Sequence, residues 1–331
     1  RDRATEHALE GYQIHKPFHS DWAPALGKAK ASLVWRMELV PNETIVAMRD
    51  LSRDHVASAG KVRGDRTVLY KYLHPQARLV VTYDGTAKEG RLYLIDTVTG
   101  QLLYHATVPD MSHPRAFVTY AENWITLQYT SDDVTAPERL LSIEMYESGT
   151  PAGAQWSGWW GRRADVEPTT ALSTPLVFMQ VFVLPYSVRA TEVTRTLLGV
   201  ASRSLVVATN RSEVVLLPRR MLDPRRPLGK PSKADTEERL VPYQVRLPDE
   251  AQWKLTKPEH LGARLDALVT SPALLESSSL VLATGLDWIY TVASPSGPFD
   301  RLHASFNKTQ LVMTILGLSL IHISSGLARQ T

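Results

Sequence analysis

The sequence predicts an all-β fold, the C-terminal portion of a β-propeller with an incomplete ring, followed by the start of a C-terminal transmembrane helix. Three observations carry this. Short β-branched and aromatic runs recur along most of the 331 residues, turn residues separate them at short intervals, and 42 residues spanning Thr67–Val108 hold four such runs. That is the length of one propeller blade of the ~40–45-residue kind. A β-sandwich with a similar number of strands is the structural alternative.

The pattern is clearest in Arg91–Pro109, RLYLIDTVTGQLLYHATVP. Leu92, Tyr93, Leu94 and Ile95 form one strand, Asp96–Gly100 a turn, and Gln101–Val108 a returning strand. Asp96 can accept backbone N–H groups two residues on, and Gly100 tolerates the positive φ that closes the turn.

Taken in order, residues 1–32 are mixed and polar and read as loop. Strands follow at Ser32–Val40, Thr44–Met48, Thr67–Tyr72, Arg78–Tyr83, Leu92–Ile95 and Gln101–Val108. Ala116–Tyr120 and Trp124–Tyr129 are joined by the turn Ala121-Glu122-Asn123, and Arg139–Tyr146 comes next. A Gly-, Pro- and Trp-rich loop covers Glu147–Thr174. Strands resume at Leu176–Leu184, Thr191–Leu197, Ser204–Ala208 and Glu213–Leu217, the last two turning through Asn210. Pro218–Leu261 is a proline-punctuated polar connection. Asp266–Thr270, Ser279–Ala283 and Asp287–Val292 close the series. Roughly four blades' worth of strands leave edges open unless further sequence completes the ring. The chain opens on Arg1-Asp2-Arg3 without a methionine or an apolar signal segment, so a preceding portion of polypeptide is expected.

Leu311–Ile323, LVMTILGLSLIHI, is interrupted only by Thr314, Ser319 and His322 as clear polar residues. Thirteen residues fall short of the ~20 a bilayer span needs. A buried strand or core helix is one reading of the run, and a membrane anchor whose end is lost or altered is the other. The expected organisation is a β region over 1–306, an anchor segment over 307–323 carried by Leu311, Val312, Ile315, Leu316 and Leu318, and a separate tail over 324–331.

Composition narrows the function. Hydrophobic residues make up 44% of the chain, as in ordinary globular proteins, and a net charge of +3 gives no reason to expect nucleic acid. The absence of cysteine removes disulfides, thiolate metal sites and cysteine nucleophiles. No dinucleotide-binding, phosphate-loop, zinc-protease or nucleophile-elbow motif is present. His15 and His19 are four apart, but Pro17 between them breaks the helix a metal pair would need. Asp132-Asp133 beside Ser131 reads as a solvated turn, not a paired acid and base. No catalytic residue, metal or cofactor is expected.

Three N-glycosylation sequons begin at Asn42, Asn210 and Asn307. Asn42 and Asn210 fall between strands, where a sugar fits; Asn307 stands too near the apolar run. Arg219, Arg220, Arg225, Arg226, Lys230 and Lys233 form a basic loop interrupted by Asp223. It is a solvated loop, or a surface for an acidic partner or lipid headgroups in which Arg225 and Arg226 would make the contact. Trp156, Trp159 and Trp160 beside Arg162 and Arg163 form an aromatic–basic cluster that either docks onto a partner or membrane interface, with Trp159 and Trp160 as the contacts, or folds back on the β domain.

From these residues the chain resembles a known family. LLPRRMLDPRRP (Leu216–Pro227), TEERLVPYQ (Thr236–Gln244), GDRTVLYKYLHP (Gly64–Pro75), LYLIDTVTGQLLYH (Leu92–His105), AENW (Ala121–Trp124) and ATGLDWIYTVASPSGPFDRL (Ala283–Leu302) are similar to the C-terminal region of subunit 1 of the ER membrane protein complex. KTQLVMTILGL (Lys308–Leu318) looks like the start of the anchor in fungal members. The resemblance spans about Arg53–Leu318. The tryptophan loop and Ile321–Thr331 depart from the family pattern.

The resemblance implies a non-enzymatic lumenal scaffold of tandem propellers in the endoplasmic reticulum membrane, single-pass and type I. Its partners would be the other subunits of the complex, client membrane proteins, tail-anchored and multipass, and the lipid bilayer. Asp300 and Arg301, just before the anchor, would set its angle by pairing with other subunits. A propeller enzyme, such as a quinoprotein-type dehydrogenase or a glycosidase, and a soluble interaction propeller are the competing readings.

Overall fold

The structure, a computed structural model, describes residues 8–15, 30–148, 175–256, 264–300 and 306–327. The chain divides into two units, Arg1–Ser296 and Gly297–Thr331.

The first unit is a succession of antiparallel sheets. A ribbon of β1 (Ala8–His15) and β2 (Lys30–Glu38) comes first, so residues 1–32 are not all loop as expected. The first four-stranded sheet runs β3 (Glu43–Asp50), β6 (Ala77–Asp84), β7 (Glu89–Asp96), β8 (Leu102–Val108). The second runs β9 (Met111–Ala121), β10 (Trp124–Ser131), β11 (Glu138–Tyr146), β12 (Leu176–Val183). Two three-stranded sheets follow. One is β13 (Val188–Val193), β14 (Ser204–Thr209), β15 (Val214–Pro218), and the other is β16 (Leu265–Pro272), β17 (Ser279–Gly285), β18 (Trp288–Ala293).

The blade expected over Thr67–Val108 is built from other strands. Thr67–Tyr72 does not open the sheet that ends at Val108. Val68–Tyr70 is β5, which pairs with β4 (Gly60–Val62) in a separate ribbon, and Glu43–Asp50 takes the vacated place beside β6. Spacing along the chain could not reveal that the intervening residues leave the blade and return. The strand expected at Thr191–Leu197 also lies earlier, at Val188–Val193, and Leu197 sits in the following loop.

The period-2 alternation of strands explains the stacking. In β6, Leu79 and Val81 face the second sheet while Val80 faces the β1–β2 ribbon. In β14, Leu205 and Val207 pack toward the second sheet and Val206 and Ala208 toward the fourth. A strand covered on both faces reads as a continuous apolar run, which is why SLVVAT shows no polar–apolar alternation. The first strand of each sheet lies against that of the next, in the order β3, β9, β13, β16. This radial series of four sheets replaces the two-layer sandwich alternative.

The hairpin at Arg91–Pro109 forms as expected. Asp96 accepts the Val98 N–H at 2.8 Å and the Thr99 hydroxyl at 2.8 Å, and Gly100 adopts φ +74°. A Cβ at Gly100 would stand 2.6 Å from the Trp35 ring, whose Nε1 donates to the Thr97 carbonyl at 3.0 Å. Gly100→Ala is therefore expected to lower stability by about 1–2 kcal/mol from the left-handed conformation alone, read as a lower urea midpoint. An unchanged midpoint would show that the turn relaxes freely.

Pro218–Leu261 is more than a polar connection. It sends Leu222, Leu247 and Trp253 into the core between the second and third sheets, and Tyr243 meets Phe182 edge-on at 5.5 Å. It also holds the one-turn helix α1 (Lys233–Glu237), whose N-cap Ser232 and Asp235 form a capping box.

In the second unit, α2 (Lys308–Leu327) begins at Asn307, whose Oδ1 accepts the Gln310 N–H at 3.0 Å. The helix runs past Ile323 into the residues expected to form a separate tail. Among the described residues no helix is long and apolar enough to cross a membrane. The expected transmembrane element thus appears as a helix without the apolar length of a span.

Candidate functional site

Two features could act as a site: the space between the first strands, and a buried cluster of charges at the seam of the second and third sheets. The first is a cavity of about 310 Å³ to which β3, β9, β13 and β16 contribute Ala47, Ala116, Ala190 and Ala267. Small side chains let four strand backbones converge there. Near the ends of these strands the charges are already paired. Arg49 donates to the Val118 carbonyl at 3.1 Å and stands 3.7 Å from Glu192, which also lies 4.0 Å from Arg195.

The second feature was not anticipated. Glu144 on β11 is wholly buried, and its carboxylate meets Arg219 at 3.1 Å, Lys61 at 3.4 Å and the Tyr146 hydroxyl at 2.5 Å. Glu122, in the β9–β10 turn at φ +56°, accepts from Lys71 at 2.6 Å and from Arg203 at 2.7 Å, with Arg219 at 3.7 Å. Arg203 continues to Asp54 at 2.9 Å, Lys61 to Asp223 at 2.9 Å, and Arg225 to Glu238 at 2.7 Å. Five carboxylates (Asp54, Glu122, Glu144, Asp223, Glu238) thus alternate with six cations (Lys61, Lys71, Arg195, Arg203, Arg219, Arg225), Arg195 standing 3.6 Å from Asp54.

Electrostatics follows from this balance. Burial pushes the Glu144 carboxyl up, but Arg219, Lys61, the Tyr146 hydroxyl and Arg225 outweigh it and hold the group well below the usual carboxylate range. Glu122 is lowered in the same way, its burial overcome by Arg219, Lys71 and Arg203. The charges of the cluster are largely spent on one another. What it can do is mechanical. It pins the β4–β5 ribbon and the segment after β15 onto the second sheet. The ribbon tip sits so close to α1 that a Cβ on Gly64 would be 2.1 Å from the Ala234 carbonyl oxygen, and the Gly64 N–H donates to Glu238 at 3.0 Å.

The residues singled out from sequence fall elsewhere. Arg225 and Arg226 are turned inward in the first unit. Arg225 is spent on Glu238 and Asp223, and Arg226, 2% exposed, donates to the carbonyls of Met221 at 2.6 Å, Val241 at 3.2 Å and Pro242. A run of arginines near aspartates looks solvated until the fold turns it inward. Asp133 bonds Thr135 and Asp132 pairs with Lys88 at 2.8 Å, in an exposed turn. Asn42, at φ +71°, and Asn210 occupy exposed turns. Leu311, Val312, Ile315, Leu316 and Leu318 are exposed on α2, and Asp300 is half-buried in the second unit. Trp159, Trp160, Arg301 and His19 lie outside the described residues, as does the side chain of His15. Among the described residues no three His, Asp or Glu side chains are grouped as a metal site requires.

The charge cluster had a readable signal. Glu144 inside LLSIEMY and Lys71 inside VLYKYL are charges within otherwise apolar runs, and such residues are buried only when paired.

Comparison with known proteins fits this architecture. A family model described as ER membrane protein complex subunit 1, second beta-propeller, matches residues 1–296. The chain belongs to the ER membrane protein complex subunit 1 family. The subunit 1 of Xenopus laevis is 32% identical over 274 residues, covering 81% of this chain and 26% of that protein. That of Schizosaccharomyces pombe is 27% identical over 293 residues, with 86% and 32% covered, and that of Saccharomyces cerevisiae 26% over 297, with 87% and 38%. The chain therefore spans about a quarter to two fifths of the length of these subunit 1 relatives. Within the family match fall the hairpin Arg91–Pro109, the Glu122 turn and the whole charge cluster.

Proposed function

We propose that this chain is a non-enzymatic scaffold portion of an ER membrane protein complex subunit, placed in the lumen and supporting the insertion and folding of tail-anchored and multipass membrane proteins. The observation that carries this reading is the match of residues 1–296 to the family's second β-propeller. The charge cluster supports it, because its chemistry fixes loops in place and reserves no group for a reaction.

Two further observations favour a part within a larger assembly. On the fourth sheet, the register places Val269, Leu282 and Tyr290 in one row, with Leu280 and Val292 beside it. Trp288 is 80% and Tyr290 65% exposed, so this face is apolar and uncovered among the described residues, as the flank of an unclosed ring would be. On α2, exposed apolar residues occur at 311, 312, 315, 316, 318, 320 and 321, pointing in every direction around the axis. A helix apolar all round suits lipid or a protein interior rather than water. The helix acts in this reading as part of a single-pass anchor.

Tagged full-length protein is expected to co-purify with a multisubunit membrane complex and to require detergent. Its recovery as a soluble monomer without detergent would overturn the scaffold reading. Asn42 and Asn210 carry N-glycans in this lumenal reading, since both stand in exposed turns between strands. Asn42→Gln and Asn210→Gln are each expected to remove one glycosidase-sensitive mobility shift; no shift in the unsubstituted protein would remove this support for a lumenal location.

A further inference from the structure

Two loops at the end of the first unit present aliphatic side chains to water in a fixed arrangement. Between β13 and β14, Leu197, Leu198 and Val200 are 59%, 53% and 59% exposed, and Leu274, between β16 and β17, is 95% exposed. Loops are ordinarily polar, and a mobile one would fold such residues away.

This loop cannot, because its backbone is clasped. The Glu276 carboxylate accepts the N–H groups of Leu198 at 2.7 Å, Val200 at 2.7 Å and Ala201 at 3.3 Å. His55 Nδ1 lies 2.8 Å from the Leu198 carbonyl oxygen. Gly199 has φ +67°, and a Cβ there would be 2.1 Å from the His55 carbonyl oxygen. The Arg195 N–H donates to Ser279 Oγ at 3.0 Å, on the fourth sheet, and the Ser202 N–H to Ser296 Oγ at 2.9 Å, in the turn that follows that sheet, so both ends of the loop are held. Ordering is thus already complete before any partner arrives, which is the usual route to a binding surface of small area.

We propose that Leu197, Leu198, Val200 and Leu274 form a preorganised docking surface for another protein subunit that presents a neutral aliphatic face. The proposal rests on the reading of this chain as part of a multisubunit complex. Charge complementarity selects the partner class. Residues 197–202 and 272–275 include no Lys, Arg, Asp or Glu, and Glu276 is turned onto backbone N–H groups. A lipid surface would call for free cations against headgroups and for aromatic residues at the interface; the loops supply no aromatic residue, and the two arginines that flank residues 197–202, Arg195 and Arg203, both stand against Asp54, at 3.6 and 2.9 Å.

The test uses the full-length protein in its native membrane. A diazirine amino acid placed at position 274, and separately at 198, is expected to cross-link on illumination to one identified subunit of the complex. Lipid adducts only, or no adduct at either position, would overturn the proposal. The double substitution Leu198→Asp with Leu274→Asp is expected to lower recovery of that subunit at least about tenfold while other subunits are retained. Unchanged recovery of every subunit would overturn it. A protease-resistant core equal to that of the unsubstituted protein shows that the variant folds, as the exposure of both side chains leads one to expect. If the unsubstituted protein purified with no subunit at all, the complex reading would fail, and the cross-link at 274 would still decide whether this surface meets protein.

Discussion

Glu144→Ala is expected to destabilise the first unit by about 3–5 kcal/mol, because removing one partner of a buried ion cluster leaves the others uncompensated. Arg219 is only partly exposed and would keep Glu122 at 3.7 Å as its remaining carboxylate, while Lys61 would keep Asp223. Urea unfolding of the chain measures the loss, and a change below about 1 kcal/mol would show that water enters and replaces the carboxylate. The same cluster sets a pH dependence. Glu144 and Glu122 both have folded pKa values below their ordinary value of 4.5. The unfolded chain therefore binds their protons first, and the stabilisation present above about pH 4.5 is lost as pH falls through the lower folded values. The urea midpoint is expected to drop steadily below pH 4.5, and Glu144→Gln is expected to flatten that drop. An acid profile unaltered by Glu144→Gln would place the acid sensitivity in other carboxylates.

Trp124→Ala is expected to cost a further large amount, about 3–5 kcal/mol, as for other buried aromatic truncations. Trp124 is fully buried at the seam of the second and third sheets, its Nε1 donates to Ser142 Oγ at 2.9 Å, and Ser142 in turn donates to the Leu222 carbonyl at 2.6 Å. Arg219 lies 5.0 Å from the centre of its ring. The substitution would open a cavity, break the link to Leu222 and strip the cation of its aromatic face. Trp124→Phe keeps most of the volume and loses the hydrogen bond, so it is expected to fall between the two. Equal stability of the Ala and Phe variants would mean that the cavity contributes nothing. Because Trp124 and Glu144 share Arg219, their effects should not add, and the double variant is expected to cost less than the sum.

Much of the fold is legible in the sequence. Strands with strong local signals stood where expected: Asp96 and Gly100 marked one turn, Asn210 another, and apolar runs such as Leu205–Ala208 gave their strands away. These signals act within a few residues. The assignment of Thr67–Tyr72 to the first blade failed for the opposite reason. Whether a strand joins the nearest sheet or a ribbon of its own depends on pairing with Gly60–Val62 against pairing with Ala77–Asp84, a choice among partners that spacing does not encode. Residues 8–15 were misread because the β1–β2 ribbon is half-covered. Leu9, Trp35 and Met37 pack on Val80 and Tyr93 while Tyr12 and Ile14 stay exposed, and this mixture blurs the apolar periodicity.

By itself the sequence determined the class of the protein. Short apolar runs, their turn residues and the collinear segments from Gly64 to Leu302 pointed to a propeller of one family, since strand and turn propensities are local properties of backbone and side chain. Only the tertiary structure decided what the charges do. Arg225 and Arg226 lie in a stretch that looks solvated, yet folding turns them inward, onto Glu238 and onto backbone carbonyls of the same connection, because the interior admits a charge only where the fold brings a partner to meet it. Glu144 and Lys61, 83 positions apart, illustrate the distance involved.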